Sequence, residues 1–374
     1  MAIIGLGKIG YNLIPILIGC IFCFLSRLLY LYKDTKLFSH SILTNLILLV
    51  AQLFMIIPHL KIQKQINSYR NESQFNLTDD KSQLIYNDNN DVSVLMKGKY
   101  PFIILSSFLA SSQGIIVLFV KDIVSNTWIL DILFTLIFYY LLFKIKLYKH
   151  HYLSIILIIL SGIILDLILG NLQSDANKSL LLFLLSLFRE IIFSLNIVIN
   201  KYLFEKKFCS TYEIIFFNGV FGLIYFGIFA IFDYYFFKFD NFEEYFNNFN
   251  IIELLVIFGM IITQLGLNLS NLFTNKKNSP CHVFIIYVFG KFAYYIILSI
   301  NSLIIIIFLI FILFLSSIFN EIIEINCFGL SKYTKKNIIK RAENEEKDEP
   351  ENDNDSFIEI PLVNIDNPMG NEEE

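Results

Sequence analysis

Residues 302–320 read SLIIIIFLIFILFLSSIFN, an uncharged run rich in Ile, Leu and Phe. A helix needs about 20 largely apolar residues to cross the hydrocarbon core of a bilayer, and it satisfies its backbone polar groups internally. The run therefore predicts a membrane-spanning helix. The same criterion predicts nine further spans, near residues 9–31, 38–59, 100–120, 124–143, 152–170, 179–199, 211–236, 250–271 and 280–300.

Composition supports an all-α polytopic membrane protein with ten transmembrane helices. Of the 374 residues, 56% are hydrophobic and 17% charged, which leaves little sequence for a separate soluble domain. The formal net charge of -4 points to no particular partner. The partners we expect are the lipid bilayer and a small-molecule solute, with no nucleic acid. A homodimer is one of the arrangements open to such a protein.

The positions of Lys and Arg predict the orientation. Most of the 29 basic residues fall in the N-terminal segment, the even-numbered connectors and the C-terminal segment, which share one side of the membrane. Basic residues beside spans are retained on the cytosolic side, so both termini are expected to be cytosolic. The segment Asp80 to Ile85 has the form of an acidic dileucine sorting signal, which favours a Golgi, endolysosomal or vacuolar membrane over the cell surface.

The ten spans divide into two sets of five. Because five is odd, a second copy of the unit enters the membrane from the opposite face, as in the inverted repeats of many secondary transporters. We expect residues 1–171 to form the first repeat, with a flexible polar cytosolic loop at 60–99, and residues 172–326 to form the second. Residues 327–374 are polar and strongly charged, which predicts a disordered cytosolic tail.

Charged residues inside the predicted spans are the first candidates for function, because a charge at the bilayer centre costs at least about 2.5 kcal/mol and usually faces a cavity or a partner. They are Arg27, Asp131, Asp166, Arg189, Glu190 and Lys291. Lys291 is among the deepest, at roughly 15 Å into its span by the helical rise. It can neutralise an anionic solute or form an ion pair with Asp131 or Glu190, and both interpretations stay open.

Adjacent positions on a helix point about 100° apart. We therefore expect one of Arg189 and Glu190 to face the cavity and the other to pair with a neighbouring span.

Uncharged polar residues complete the predicted site. Hydrogen bonds to a solute, or between helices, are available from Gln52, Gln113, Trp128, Asn196, Asn218 and Asn268. Cys20 and Cys23 have the spacing of a metal or redox pair but lie in an apolar span, so we expect neither a metal site nor a cofactor. The predicted substrate-binding residues are Lys291, Glu190, Asp131, Gln113, Trp128 and Asn268.

Several segments between residues 38 and 320 are similar to the drug/metabolite transporter superfamily, in particular to branch F of solute carrier family 35. The similar segments are Ser125–Trp128, the connector Lys144–His151, Leu153–Gly162, Lys201–Leu203, Asn218–Gly222 and Phe289–Lys291. The resemblance implies transport, and relatives tend to carry a basic residue near position 291. Trp128 stands where Gln is expected, Asp131 where a basic residue is expected, and Asn218 where Glu is usual.

The sequence thus predicts a secondary transporter, not an enzyme, that moves a small polar or anionic metabolite by alternating access around a midplane site. One alternative is an intramembrane aspartyl protease that uses Asp131 and Asp166, although the flanking Tyr and Gly pattern of such proteases is missing. A non-transporting membrane scaffold or receptor is the other alternative.

Glycan mapping tests the predicted orientation. The sequons at Asn71 and Asn76 fall in the predicted cytosolic loop, whereas the sequon at Asn177 falls on the opposite side. New acceptor sequons placed in the loop are expected to stay unmodified, and acceptors placed beside Asn177 on an extended insertion are expected to be glycosylated. The reverse pattern would refute the cytosolic position of both termini.

Overall fold

The computed structural model describes residues 4–6, 13–30, 41–64, 98–145, 147–172, 180–237, 251–298 and 303–325, with a further gap at 121–125. Most of the predicted loop 60–99 and the predicted tail 327–374 lie outside the described residues. The side chain of Asp166 lies outside them too.

The described part of the chain is helical apart from one short strand pair. The ten helices are α1 (Ile14–Tyr30), α2 (Ser41–Leu53), α3 (Lys99–Val120), α4 (Asp131–Phe143), α5 (Lys149–Leu172), α6 (Leu180–Lys206), α7 (Thr211–Phe232), α8 (Ile251–Lys277), α9 (Pro280–Leu298) and α10 (Leu303–Phe319). A 3-10 segment, Asn126–Leu130, leads into α4. After a turn at Phe54 and Met55, the chain of α2 is helical again as far as Lys64. The strands β1 (Ile4–Leu6) and β2 (Ile323–Ile325) pair antiparallel.

Each of the ten predicted spans overlaps one of these helices. Four helical stretches within the described residues are long and apolar enough to cross a membrane, namely Asn45–Lys64, Phe183–Lys206, Thr211–Phe236 and Leu254–Lys277. Five other apolar helices have only 10–17 described residues. Helix α3 contains Ser and Gln residues that turn inward, as described below. The protein is therefore an all-helical membrane protein.

The outer surface of the helices is apolar, as expected of a protein that lies in a bilayer. Helix α5 exposes a stripe of large apolar side chains that recur every three or four residues: Leu153, Ile156, Leu160, Ile163 and Leu167. Each of the five is at least 46% exposed. Soluble proteins rarely expose so continuous an apolar face. The hydrocarbon core of a bilayer covers such a face and keeps its apolar side chains out of water.

The helices of the two halves pack on each other. Helix α1 packs on α8 and α9, while α6 packs on α3 and α4. Helix α3 also packs on α7, and α8 packs on α2. Three further pairs each join a helix from α1–α5 to one from α6–α10, namely α2 with α7, α4 with α9 and α5 with α10.

Small residues allow several of these helices to approach closely, as is common where helices associate in membranes. On α7, a Cβ added at Gly219 would lie 3.0 Å from the backbone oxygen of Leu49 and 3.0 Å from Cβ of Gln52, both on α2. The backbone of α2 cannot rotate away as a side chain can. Gly219 therefore sets the distance between α2 and α7.

Replacing Gly219 tests this contact. We expect Gly219→Leu to lower the free energy of unfolding by about 1–3 kcal/mol, the usual cost of overpacking, measured by thermal or denaturant unfolding in detergent. Gly227→Leu on the same helix is the matched control, because a Cβ there meets nothing within 4 Å. Equal effects of the two substitutions would contradict the close α2–α7 contact.

Candidate functional site

A cavity of about 260 Å³ lies between α2, α3, α6, α7, α8 and α9. Its wall is dominated by side-chain amides. They are Asn45, Gln52, Gln113, Asn196, Asn200, Asn218, Gln264, Asn268, Asn271 and Asn275. The hydroxyl groups of Ser111 and Tyr287 add to the polar wall. None of the residues that line this cavity carries a formal charge at neutral pH.

Helix periodicity explains why these residues share a wall. On α8, Gln264, Asn268, Asn271 and Asn275 follow one another at spacings of four, three and four residues, which places them on one helix face. The polar side chains of α3, Ser111 and Gln113, turn toward the same space. Apolar residues cover the outward faces of both helices, so the polar residues are confined to the interior.

The wall is held by hydrogen bonds between helices. The hydroxyl oxygen of Ser106 lies 2.8 Å from Oδ1 of Asn196 and 2.7 Å from Oδ1 of Asn200. On the other side, Asn275 Nδ2 donates to the carbonyl oxygen of Ile197 at 2.7 Å. Asn271 Nδ2 donates to the phenol oxygen of Tyr287 at 3.0 Å. These bonds fix the amides in place before any solute arrives.

Some hydrogen-bonding capacity of the wall is unused. The side-chain oxygens of Gln52, Asn271 and Asn275 are buried and have no hydrogen-bond partner. A buried acceptor without a partner costs about 1–3 kcal/mol. A hydroxyl or amine donor that enters the cavity can satisfy such acceptors after a small side-chain rotation.

A second polar group, the charge cluster, consists of Arg27, Asp131, Arg189, Glu190 and Lys291. The carboxyl group of Asp131 lies beside that of Glu190, and both lie near Lys291. Arg27 and Arg189 are electrostatic neighbours of Lys291 as well. Asp131 and Glu190 are 5% and 2% exposed. The carboxyl pair therefore lies near two cations, Arg189 on α6 and Lys291 on α9.

Short polar contacts hold the cluster in place. Arg189 Nη2 bonds to Oε1 of Glu190, and the Thr127 hydroxyl donates to the same oxygen at 3.4 Å. Asp131 is the first residue of α4, where the positive end of the helix dipole favours a carboxylate. Ser194 on α6 donates to the backbone oxygen of Asp131 at 3.1 Å.

Trp128 joins the cluster to the apolar core. Its indole is 3% exposed and stacks on Phe284, with ring centroids 6.1 Å apart. Lys291 Nζ lies 5.9 Å from the centroid of the Trp128 ring, within the range of a cation–π interaction. The indole therefore stabilises the positive charge of Lys291.

The six predicted substrate-binding residues fall into two groups. Gln113 and Asn268 line the amide cavity, together with Gln52, Asn196 and Asn218 from the wider set of predicted polar residues. Lys291, Glu190, Asp131 and Trp128 gather around the charge cluster and do not line that cavity. The structure therefore places the six residues in two groups and not around one cavity. Tyr287 connects the groups, because it lines the cavity and is an electrostatic neighbour of Asp131 and Glu190.

The expectation for Arg189 and Glu190 also needs correction. The two side chains contact each other directly, because both are long enough to close the 100° angle between adjacent helix positions. Glu190 additionally reaches Thr127 and Asp131 on the preceding segment and on α4.

Sequence reasoning missed Gln264, Asn271 and Asn275, although their spacing with Asn268 was a readable signal. It also missed the role of Lys201, which is 4% exposed. Its ammonium group donates to the backbone oxygens of Asn275 at 3.0 Å and Asn278 at 2.6 Å. A lysine placed there caps the C-terminal end of α8 and complements the helix dipole.

Comparison with known proteins adds no family. No family model matches the chain, and no curated protein sequence matches it.

Removing Lys291 tests the charge cluster. Lys291→Met leaves Asp131 and Glu190 with less positive charge, so we expect the free energy of unfolding to fall by about 3 kcal/mol, as when a buried pair is broken. The double variant Lys291→Met/Asp131→Asn is expected to recover part of that loss. Unfolding in detergent measures both. Lys144→Met, at an exposed position, is the control, and an equally large effect there would contradict the prediction.

Proposed function

We propose that this protein is a secondary transporter of a small, uncharged polar solute, with ten membrane-spanning helices arranged as two inverted five-helix repeats. The observation that carries the proposal is the amide-lined cavity between helices of both halves. Both termini are assigned to the cytosolic side of an endomembrane. The proposal includes membership of the drug/metabolite transporter superfamily, which segments of the sequence resemble.

Helix packing supports the inverted repeats. If each helix of the first half corresponds to the helix five places later, α1 corresponds to α6, α3 to α8 and α4 to α9. Exchanging the halves converts the contacts of α1 with α8 and α9 into contacts of α6 with α3 and α4, and both sets occur. The same exchange converts the α3–α7 contact into the α8–α2 contact, which also occurs. Under the same exchange, each of three pairs maps onto itself, namely α2–α7, α4–α9 and α5–α10.

The strand pair supports the placement of the termini. The segment before α1 and the segment after α10 pair through β1 and β2, so they lie on the same side of the helices. Ten crossings have the same consequence, because an even number returns the chain to its starting side.

The position of the cavity supports transport. Alternating access requires a site that both repeats share, so that rocking of one against the other can close one side and open the other. Helices α2 and α3 come from the first half, and α6, α7, α8 and α9 come from the second. A solute in this cavity contacts both halves at once.

Wall chemistry favours an uncharged polar solute over an anionic one. Side-chain amides supply donors and acceptors together, which suits hydroxyl groups and neutral nitrogen heterocycles. An anion needs a compensating cation when it leaves water. The cations nearest to the cavity, those of the charge cluster, are already close to Asp131 and Glu190. Lys291 is only half-buried, so an anionic metabolite that contacts this cation is the alternative solute.

The protease alternative has one supporting observation, the proximity of two carboxyl groups, which is also the feature of aspartyl proteases. The pair in this protein is Asp131 with Glu190, not Asp131 with Asp166. Glu190 is bonded to Arg189, and neither carboxyl group lines the amide cavity, where a substrate could enter. The cluster is therefore better suited to fix α1, α4, α6 and α9 than to activate a water molecule.

Uptake into proteoliposomes tests the proposed function. A panel of radiolabelled solutes would include hexoses, polyols and nucleosides as uncharged members, and nucleotides and dicarboxylates as anionic members. We expect uptake of an uncharged member that saturates and that falls at least tenfold in Asn268→Leu, which removes an amide and fills part of the cavity.

Ile262→Leu on the same helix is the matched control, because Ile262 is 46% exposed and does not line the cavity. Its uptake should equal that of the unmodified protein. If only anionic solutes are taken up, and if this uptake is lost in Lys291→Met, the transported solute is anionic and not uncharged. Absence of saturable uptake of any panel member, together with no thermal stabilisation by any of them, would overturn the transporter proposal.

A further inference from the structure

Two adjacent histidines at the start of α5 meet a glutamate that follows α10. The side chains are those of His150, His151 and Glu321, and one ligand atom from each lies within 4.8 Å of the others. Glu321 is held in place by a left-handed backbone conformation, with φ of 56°, and its N–H donates to the Ile318 oxygen at 3.0 Å. The cluster therefore joins two segments that are far apart in the sequence.

His150 is the most informative member of the cluster. It is 4% exposed, and neither ring nitrogen has a hydrogen-bond partner. Its Nε2 lies 3.2 Å from Oε1 of Glu321, but without the geometry of a hydrogen bond. Buried imidazoles normally have partners. An imidazole nitrogen and a neighbouring carboxylate oxygen are both donor atoms that bind metal ions.

His151 offers one nitrogen in a defined tautomer. The backbone N–H of Tyr148 donates to Nδ1 of His151 at 3.1 Å, so this nitrogen is unprotonated and the proton lies on Nε2 when the ring is neutral. Rotation of the ring, which releases Nδ1 from the Tyr148 N–H, presents the lone pair of the neutral imidazole to a metal ion.

The surroundings leave room for a fourth ligand. A second cavity, of about 210 Å³, is lined by His151 and Glu321 and also by Ser279, Cys281 and His282. His282 is already engaged, because its Nδ1 lies 2.8 Å from the Ser279 hydroxyl oxygen. Water or a small anion in the cavity can complete the coordination of an ion bound by the other residues.

We propose that His150, His151 and Glu321 bind a divalent transition-metal ion, with Zn²⁺ as the ion that the donor set fits best. Two imidazole nitrogens, one carboxylate oxygen and an open fourth position form a common zinc coordination set. Zn–N and Zn–O distances are about 2.0–2.2 Å, so small side-chain rotations bring the three ligand atoms into range. The bound ion connects the start of α5 to the end of α10. This inference does not depend on the proposed transport function.

Zinc titration of the whole protein tests the site. The protein would be purified in detergent without a polyhistidine tag, stripped with a chelator and titrated with Zn²⁺ in a calorimeter. We expect one Zn²⁺ per chain and a higher melting temperature with Zn²⁺ than without it. Co²⁺ is the second probe, because its visible absorption reports nitrogen and oxygen coordination.

Variants assign the ligands. We expect His150→Ala and His151→Ala each to weaken Zn²⁺ binding by about tenfold or more, since the loss of a metal-orienting partner alone has such an effect. Glu321→Gln keeps the side-chain shape but removes the charge and is expected to weaken binding as well. His59→Ala is the matched control, because His59 lies 3.4 Å from the Ser210 hydroxyl oxygen and belongs to no such cluster among the residues that the structure describes.

Each outcome decides the proposal. Stoichiometric binding that is lost in the cluster variants and kept in His59→Ala supports it. No stoichiometric binding to the unmodified protein overturns it, as does unchanged binding in the double variant His150→Ala/His151→Ala. If the double variant does not fold, Zn²⁺ binding is measured in Glu321→Gln instead. An unchanged melting temperature of Glu321→Gln without metal shows that this variant is folded, so that weaker binding supports the proposal and unchanged binding overturns it.

Discussion

Hydrocarbon cannot hydrogen bond, and the rest of this structure depends on that constraint. Every backbone polar group in a span must be satisfied within the helix, and every polar side chain must face the protein interior. Helix α5 shows the outer side of the arrangement, with a continuous stripe of exposed Leu and Ile. Helix α8 shows the inner side, where four amides follow the helical repeat and line a cavity. The same constraint makes polar positions in such a sequence informative about function.

The sequence predicted the helices well because each one is encoded locally. All ten predicted spans overlap a described helix, although only four described helices are long and apolar enough to be assigned as spans by themselves. The interruption at Phe54 and Met55 was not predicted, although Pro58 marks it: a proline has no N–H to donate to the carbonyl of Phe54, and its ring crowds that carbonyl. The strand pair joins residues that are far apart in the chain, and no local pattern announces such a pairing.

The sequence pointed to polar residues of the helix interior, but it did not show which of them lie together. Gln113 and Asn268 were selected for polarity alone, and both line the cavity. Lys291 and Glu190 were selected by the cost of burying a charge, and both lie in the charge cluster and not in the wall of the cavity. Which polar residues meet depends on helix rotation and on contacts such as Gly219 against α2. The metal cluster was not predicted because Glu321 meets the two histidines only through the α5–α10 contact.

Helix α6 is the element that links these features. Glu190 lies in the charge cluster, Asn196 and Asn200 line the cavity, and Lys201 caps the C-terminal end of α8. A rotation or shift of α6 therefore changes the cluster, the cavity wall and the contact with α8 together. The cluster of His150, His151 and Glu321 lies elsewhere, where α5 packs on α10. Neither of these helices contributes a residue to the wall of the amide cavity, so under the two proposals an ion bound there would join helices that do not contact the solute.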